Sequence, residues 1–174
     1  MICCVTGHRP KGFPFLYGLD FIENSEYLAL LEMELRELIY EGYSDFISGM
    51  AEGADIDFAQ TVLFLRDEYE FIKLEAALPC PVSMPKEPRE FHYDREYILE
   101  QSNKITVLSP HYHKGCMQKR NRYMVDKSDL VLAIWNGEKK GGTWDTIKYA
   151  QKQGKTVKYI MLSEIGKFTS AVFK

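Results

Sequence analysis

Six short apolar runs recur along the 174-residue chain, at residues 2–6, 45–48, 73–77, 105–108, 130–135 and 156–161, with helical patterns between them. The runs are unalternating and partly β-branched, the pattern of strands covered on both faces. Leu28, Leu31, Leu35, Leu38 and Ile39 form an apolar helical stripe, and Gly42 stands where a helix-ending residue belongs. Ala54, Phe58, Val62 and Leu65 form a second stripe. A third helix is expected over about residues 90–103, with Tyr97 and Ile98. Met117, Met124 and Ser128 mark a fourth, and Ile147 and Ala150 a fifth, ended by Gly154. Strand-then-helix repetition implies parallel strands joined by right-handed crossovers, hence a doubly wound α/β sheet. The length suits one domain over residues 1–174. In such sheets ligands bind beyond the carboxyl ends of the strands, where the strand order reverses.

The loops expected at that edge are long and irregular. Residues 9–24 contain Pro10, Gly12, Pro14 and Gly18; residues 79–88 contain four prolines; residues 109–115 read SPHYHKG. Such loops serve as lids or binding loops, or run over the surface without a role.

Three strand ends carry glycine beside polar groups. The first strand runs into Thr6, Gly7, His8 and Arg9; the second into SGMAEGAD, with Gly49, Met50, Gly53 and Asp55; the fifth into NGEKKGGTWD, with Gly137, Gly141, Gly142, Thr143 and Asp145. Glycine admits positive φ and close backbone approach, and free N–H groups at the following helix N-terminus favour an anion. These loops read as phosphate or ribose cradles, although tight turns need glycine without any ligand. Neither the Walker A spacing nor G-x-G-x-x-G is present. Asp55 and Asp145 suit either helix N-terminal stabilisation or contact with ribose.

On the fourth helix Met117, Arg120 and Met124 share a face, flanked by Asn121 and Ser128. An arginine among methionines needs a partner: a carboxylate such as Asp126 or Asp145, or a phosphate that its fork grips bidentately. Arg122 is expected to point outward. His111 and His113 are read as solvated, and Trp135 and Trp144 as either the wall of a base pocket or core packing.

The formal net charge of −3 gives no general attraction to nucleic acid or anionic membrane. The cysteines at 3, 4, 80 and 116 form no C-x-x-C, and no metal site is read from them. Cys3 and Cys4, on opposite faces of a strand, read as small buried hydrophobes in a reducing cytoplasm. No stretch approaches 18 apolar residues, and no signal peptide is apparent.

TGHRP at 6–10, SGMAEGAD at 48–55, RNRYMVDKSD at 120–129 and GGTWDTIKYA at 141–150 together resemble the YpsA-like family. That family sits in the SLOG superfamily with the DprA/SMF proteins and the LOG phosphoribohydrolases. The resemblance implies a Rossmann-like three-layer α/β/α fold in strand order 3-2-1-4-5-6. It also implies a site for a nucleotide or a nucleotide-sugar such as an ADP-ribose-like ligand, and a homodimer is common among the relatives. The LOG helix motif Met-x-x-Arg-x-x-x-Met is matched by Met117, Arg120 and Met124. The LOG loop is matched in part: Gly142 and Thr143 fit, Asp145 takes the first acid position, and Thr146 replaces the second.

Three readings follow. The chain is a nucleotide-binding sensor or regulatory module; or a LOG-like enzyme acting at a nucleotide's N-glycosidic bond through Arg120 and Asp145; or, least supported, a DprA-like binder of single-stranded DNA through the basic run at 113–122.

Overall fold

The structure, a computed structural model, describes residues 1–81 and 90–167, with the side chains of 90–94 left aside. The proline-rich loop read at 79–88 lies outside the described residues from 82 onward. Six strands, β1 (Ile2–Gly7), β2 (Asp45–Ser48), β3 (Lys73–Leu78), β4 (Lys104–Val107), β5 (Leu130–Trp135) and β6 (Thr156–Met161), alternate with five helices. The helices are α1 (Phe21–Tyr40), α2 (Ala54–Arg66), α3 (Glu90–Gln101), α4 (Cys116–Lys127) and α5 (Gly141–Lys152). Every pairing in the sheet is parallel, in the order β4-β3-β2-β1-β5-β6.

The three-layer Rossmann-like architecture is the expected one. In detail, β3-β2-β1 and β5-β6 are adjacent as read, while β4 continues outward from β3 instead of entering between β1 and β5. Its composition explains this. Lys104, Ile105 and Val107 are exposed, and Glu75 of β3 accepts from Lys104 Nζ at 3.0 Å and from the Thr106 hydroxyl at 2.7 Å. A half-solvated strand with a charged end suits a sheet edge and would be costly in the centre. The chain therefore builds outward from β1 to β4 and returns to lay β5 beside β1. The order reverses between β1 and β5.

Two hydrophobic layers hold the sheet. Cys3, Val5 and Phe46 face α1 and α2, packed against Leu31, Leu35 and Phe58. Cys4, Ile47, Ala77 and Val131 face the opposite way, against Met124, Val125 and Ala150. Adjacent cysteines thus lie in different layers, and all four cysteines are free. Each fully buried leucine contributes about 1.5–3 kcal/mol relative to exposure. The α1 stripe begins at Tyr27 rather than Leu28, which is 43% exposed; the tyrosine hydroxyl reaches Asp57 at 3.0 Å, a partner that sequence spacing does not show.

Gly42 and Gly154 end α1 and α5 as expected, with φ of +95° and +69°. After α1 the Tyr43 N–H donates to Leu38 O at 2.9 Å and the Gly42 N–H to Ile39 O at 3.0 Å, the paired bonds of a Schellman stop. Among the described residues no helix is long and apolar enough to cross a membrane.

Candidate functional site

Beyond the carboxyl ends of β1 and β5 the chain leaves a hollow of about 390 Å³, lined by Thr6–Arg9, Lys11, Gly12, Ala51, Asp55, Met117, Arg120, Asn121, Gly142 and Thr143. It continues past His8, Lys11, Gly12, Gly142 and Thr143 into a second lobe of about 480 Å³, walled by Asn136, Glu138 and Lys140. Past Met117, Asn121 and Gly142 it adjoins a third lobe of about 400 Å³, between α4 and α5, where Asp145 lies. Gly142 lines all three lobes. Thr6, Gly7, His8, Arg9, Asp55, Arg120, Asn121, Gly142 and Thr143 therefore meet at one mouth, and Gly141 sits on its second lobe. Gly49, Met50, Gly53 and Gly137 do not line these lobes, and Asp145 lines only the third.

The floor of the mouth is a buried ion pair. Arg120 Nη1 donates to Asp55 Oδ2 at 3.0 Å, with the two side chains 7% and 8% exposed. Asp55 Oδ2 also accepts from the Ala51 N–H at 3.2 Å. Burial pushes the Asp55 carboxyl above its usual value, while Arg120 and the Ala51 N–H pull the other way. Arg120 thus takes Asp55 as its carboxylate rather than Asp126 or Asp145. Its Nη2 lies 3.9 Å from the Met117 sulfur, a weak contact, and its buried Nε has no hydrogen-bond partner.

The SGMAEGAD loop builds this floor. A Cβ on Gly49 would fall 1.2 Å from Arg120 Nη1, so this glycine makes room for the guanidinium. Gly53 has φ +87°, and a Cβ there would sit 2.7 Å from His8 O. The loop after β1 docks against that spot, where the Ala54 N–H donates to His8 O at 3.1 Å. Met50 holds a left-handed φ of +58°. That strain, on the order of 1 kcal/mol or more, is held by full side-chain burial and by the bond from its N–H to Ser48 Oγ at 3.1 Å. Gly7 is likewise a packing glycine: a Cβ would lie 2.3 Å from Ala54 Cβ. Gly137 needs its φ of +91° for the turn after β5.

The wall over the floor is the start of α5. Its capping residue Lys140 makes no side-chain cap bond, so the first N–H groups of the helix are left for solvent or an anion. Thr143 ties this turn to β1 by donating its hydroxyl to Gly7 O at 2.9 Å. Asn121 Nδ2 donates to Thr146 Oγ1 at 2.8 Å, which fixes α4 to α5. Of the twelve glycines, Gly142 alone combines an ordinary φ with nothing within 4 Å of a Cβ built on it. Neither backbone geometry nor internal packing asks for glycine there, and in a helix glycine is about 1 kcal/mol worse than alanine.

His8 completes the mouth. Burial lowers its pKa, opposed by the neighbouring Asn136 side chain and by Glu138. Its buried Nε2 has no hydrogen-bond partner. Arg9 and Lys11 are exposed at the rim. Lys11 and Lys140 are not among the candidates read from sequence, and Asn136 enters only as the first residue of NGEKKGGTWD. Asn136 Nδ2 donates to Gly12 O at 3.0 Å, and this closure brings the residues after β5 over the β1 loop. A sequence signal existed only for Asn136, beside Gly137 at a strand end.

The remaining candidates stand apart from the mouth. Asp145 is 61% exposed and pairs with Lys148 at 2.9 Å. Trp135 and Trp144 stack on each other, with ring centroids 5.4 Å apart and planes 10° apart, so each has the other as its ring partner. Arg122 points outward as expected, its guanidinium 5.5 Å from the Tyr149 ring. His111 and His113 are exposed, though His113 Nε2 lies 3.1 Å from Ser109 Oγ. Among the described residues no group of three His, Cys, Asp or Glu side chains is placed to share a metal ion.

Comparison with known proteins returns a consistent set. The family model YpsA, described as the YspA SLOG family, matches residues 3–165. A UPF0398 protein of Bacillus velezensis is 26% identical, over 93% of this chain and 90% of its own length. UPF0398 proteins of Bacillus cereus and Bacillus thuringiensis are each 23% identical, over 94% and 91% of this chain and 92% and 86% of their own lengths.

Proposed function

We propose that this chain, which belongs to the YspA SLOG family, binds a nucleotide or nucleotide-sugar, of which an ADP-ribose-like molecule is one example, by seating a phosphate at the N-terminus of α5. Membership of that family supports a nucleotide-related role in general. The observation that carries the finer reading is Gly142: a glycine without an internal reason, on a helix turn without a side-chain cap, facing a cavity. Two buried nitrogens without partners, Arg120 Nε and His8 Nε2, belong to residues lining the same cavity. A phosphate at the helix start would accept from backbone N–H groups and lie near the cations of Arg9 and Lys11, with Lys140, which pairs with Glu138 at 3.0 Å, beyond them.

The geometry favours binding over bond cleavage. Asp145 and Arg120, the pair that hydrolysis would require, line different lobes and each already holds an ion-pair partner. The role is therefore read as that of a sensor or regulatory module. The test is titration of the full chain with AMP, ADP, NAD and ADP-ribose, followed by tryptophan fluorescence and by chromatography of the ligand. Trp144 lies two residues past Gly142 and stacks on the other tryptophan, so occupation of the α5 start should change the emission. Saturable binding with intact ligand supports the reading. Absence of any response refutes it, and release of free base replaces it with the enzyme reading.

A further inference from the structure

The lobe between α4 and α5 is continuous with the mouth yet differs from it in character. Its wall is the Met117 side chain and the Tyr149 ring, and three cations, Arg122, Lys148 and Lys152, line it against one carboxylate, Asp145. Lys148 is committed to Asp145 at 2.9 Å. Arg122 and Lys152 make no ion pair among the described residues. Arg122 is held at the Tyr149 ring by a cation–π contact, and the ring is fixed in turn by donation from its hydroxyl to Asp126 Oδ1 at 2.8 Å. A positioned guanidinium and a free ammonium on an apolar wall make an anion site, not a neutral sugar site.

The charge of the whole molecule is divided the same way. The α1 helix on the other layer carries Glu23, Glu26, Glu32, Glu34 and Glu37 against Arg36 alone. The α4 helix carries Lys119, Arg120, Arg122 and Lys127 against Asp126. The overall net charge of −3 therefore conceals a basic layer on the side of the cleft.

We infer that the α4–α5 cleft is a second anion subsite, so that the ligand is a nucleotide carrying two separated phosphates, one at Gly142 and one between Arg122 and Lys152. A nucleoside 3′,5′-bisphosphate and the phosphorylated end of an oligonucleotide share that chemistry. This rests on the phosphate seat at Gly142 proposed above.

Affinities of the full chain for AMP, adenosine 3′,5′-bisphosphate and 5′-phosphorylated diadenylate separate the cases. The two-phosphate ligands are expected to bind at least tenfold tighter than AMP, with a steeper fall as salt rises. In the Arg122→Gln/Lys152→Gln variant that advantage disappears while AMP affinity stays within twofold, and Arg122→Lys/Lys152→Arg restores part of it. If only the bisphosphate gains, the source is the free nucleotide; if the diadenylate gains as much or more, it is the oligonucleotide end. Equal affinity for AMP and both two-phosphate ligands overturns the second subsite and leaves the phosphate seat standing. If none of the three binds, the seat itself is refuted and the inference falls with it. Both surface substitutions leave the core untouched, and an unchanged melting temperature verifies that the variant is folded.

Discussion

Replacement of Gly142 by alanine separates a ligand-driven glycine from a structural one. Nothing lies within 4 Å of the added methyl, and the backbone φ is not left-handed. Alanine in place of helix glycine therefore stabilises the unliganded protein by about 0.5–1 kcal/mol, with a first-turn position near the lower end. For a chain of this size that is a rise in melting temperature of about 1–4 °C. The same methyl enters the space where three lobes meet. If a phosphate takes a charge-assisted bond from this turn, displacement loses about 1.5–3 kcal/mol, or about tenfold to a hundredfold in affinity. The assay is calorimetric unfolding of both proteins without ligand, followed by nucleotide titration read by tryptophan emission. Higher stability with weaker binding is the expected pair. Lower stability would mean that the glycine serves the fold; unchanged affinity would place the ligand elsewhere.

Other perturbations test the floor and the rim. Arg120→Met leaves Asp55 buried without its counter-charge, and about 3–5 kcal/mol of stability is expected to go at neutral pH; a change under 1 kcal/mol in urea unfolding would deny the pair its structural role. Asp55 sits above its ordinary value of 3.8 in the folded protein, so the native state binds more protons in that window and its contribution to stability falls as pH rises through it; Asp55→Asn, measured across the acidic range, should flatten this slope. His8 has the opposite sign: its value is lowered from 6.5, so stability falls as pH drops below that value, and His8→Asn should remove the effect. Gly53→Val is expected to unfold the β1 and β2 loops, through the contact with His8 O and the φ of +87°, so a folded variant with normal stability would contradict the packing described. Burial pushes the Cys4 thiol up to about 12 and Cys3 upward as well; both should resist thiol reagents in the native protein and react on unfolding, as followed by mass spectrometry.

The strands were legible because each is a run that no amphipathic helix tolerates. All six begin and end within a residue of the expected bounds, and β2, β5 and β6 coincide with them. The place of β4 was not legible from the apolar letters of Ile105 and Val107; its edge character comes from pairing with Glu75, a contact 29 residues away in sequence for Lys104. In the candidate site, glycine spacing pointed to the sheet edge where the cavity lies but did not separate roles. Gly49 and Gly53 serve an ion pair and a loop contact, whereas Gly142 serves neither, and only three-dimensional neighbours distinguish them. The need of Arg120 for a partner was readable from its methionine neighbours. That the partner is Asp55, 65 residues earlier, follows from the β1–β2 side of the sheet packing under α4. Lys11 carries no local signal, since an isolated lysine in a loop is ordinary surface; Lys140 stands beside Lys139 just before the Gly141–Gly142 pair, but a lysine pair in a loop is ordinary surface too.

The most direct measurement is a two-dimensional amide NMR titration of the full chain with AMP. Saturable shifts of the Gly142 and Thr143 amides, with the Arg120 Nε signal moving in step, are the result the account expects. If AMP binds while those amides stay still, or moves only amides on the α1–α2 side, the anion seat at the head of α5 is wrong.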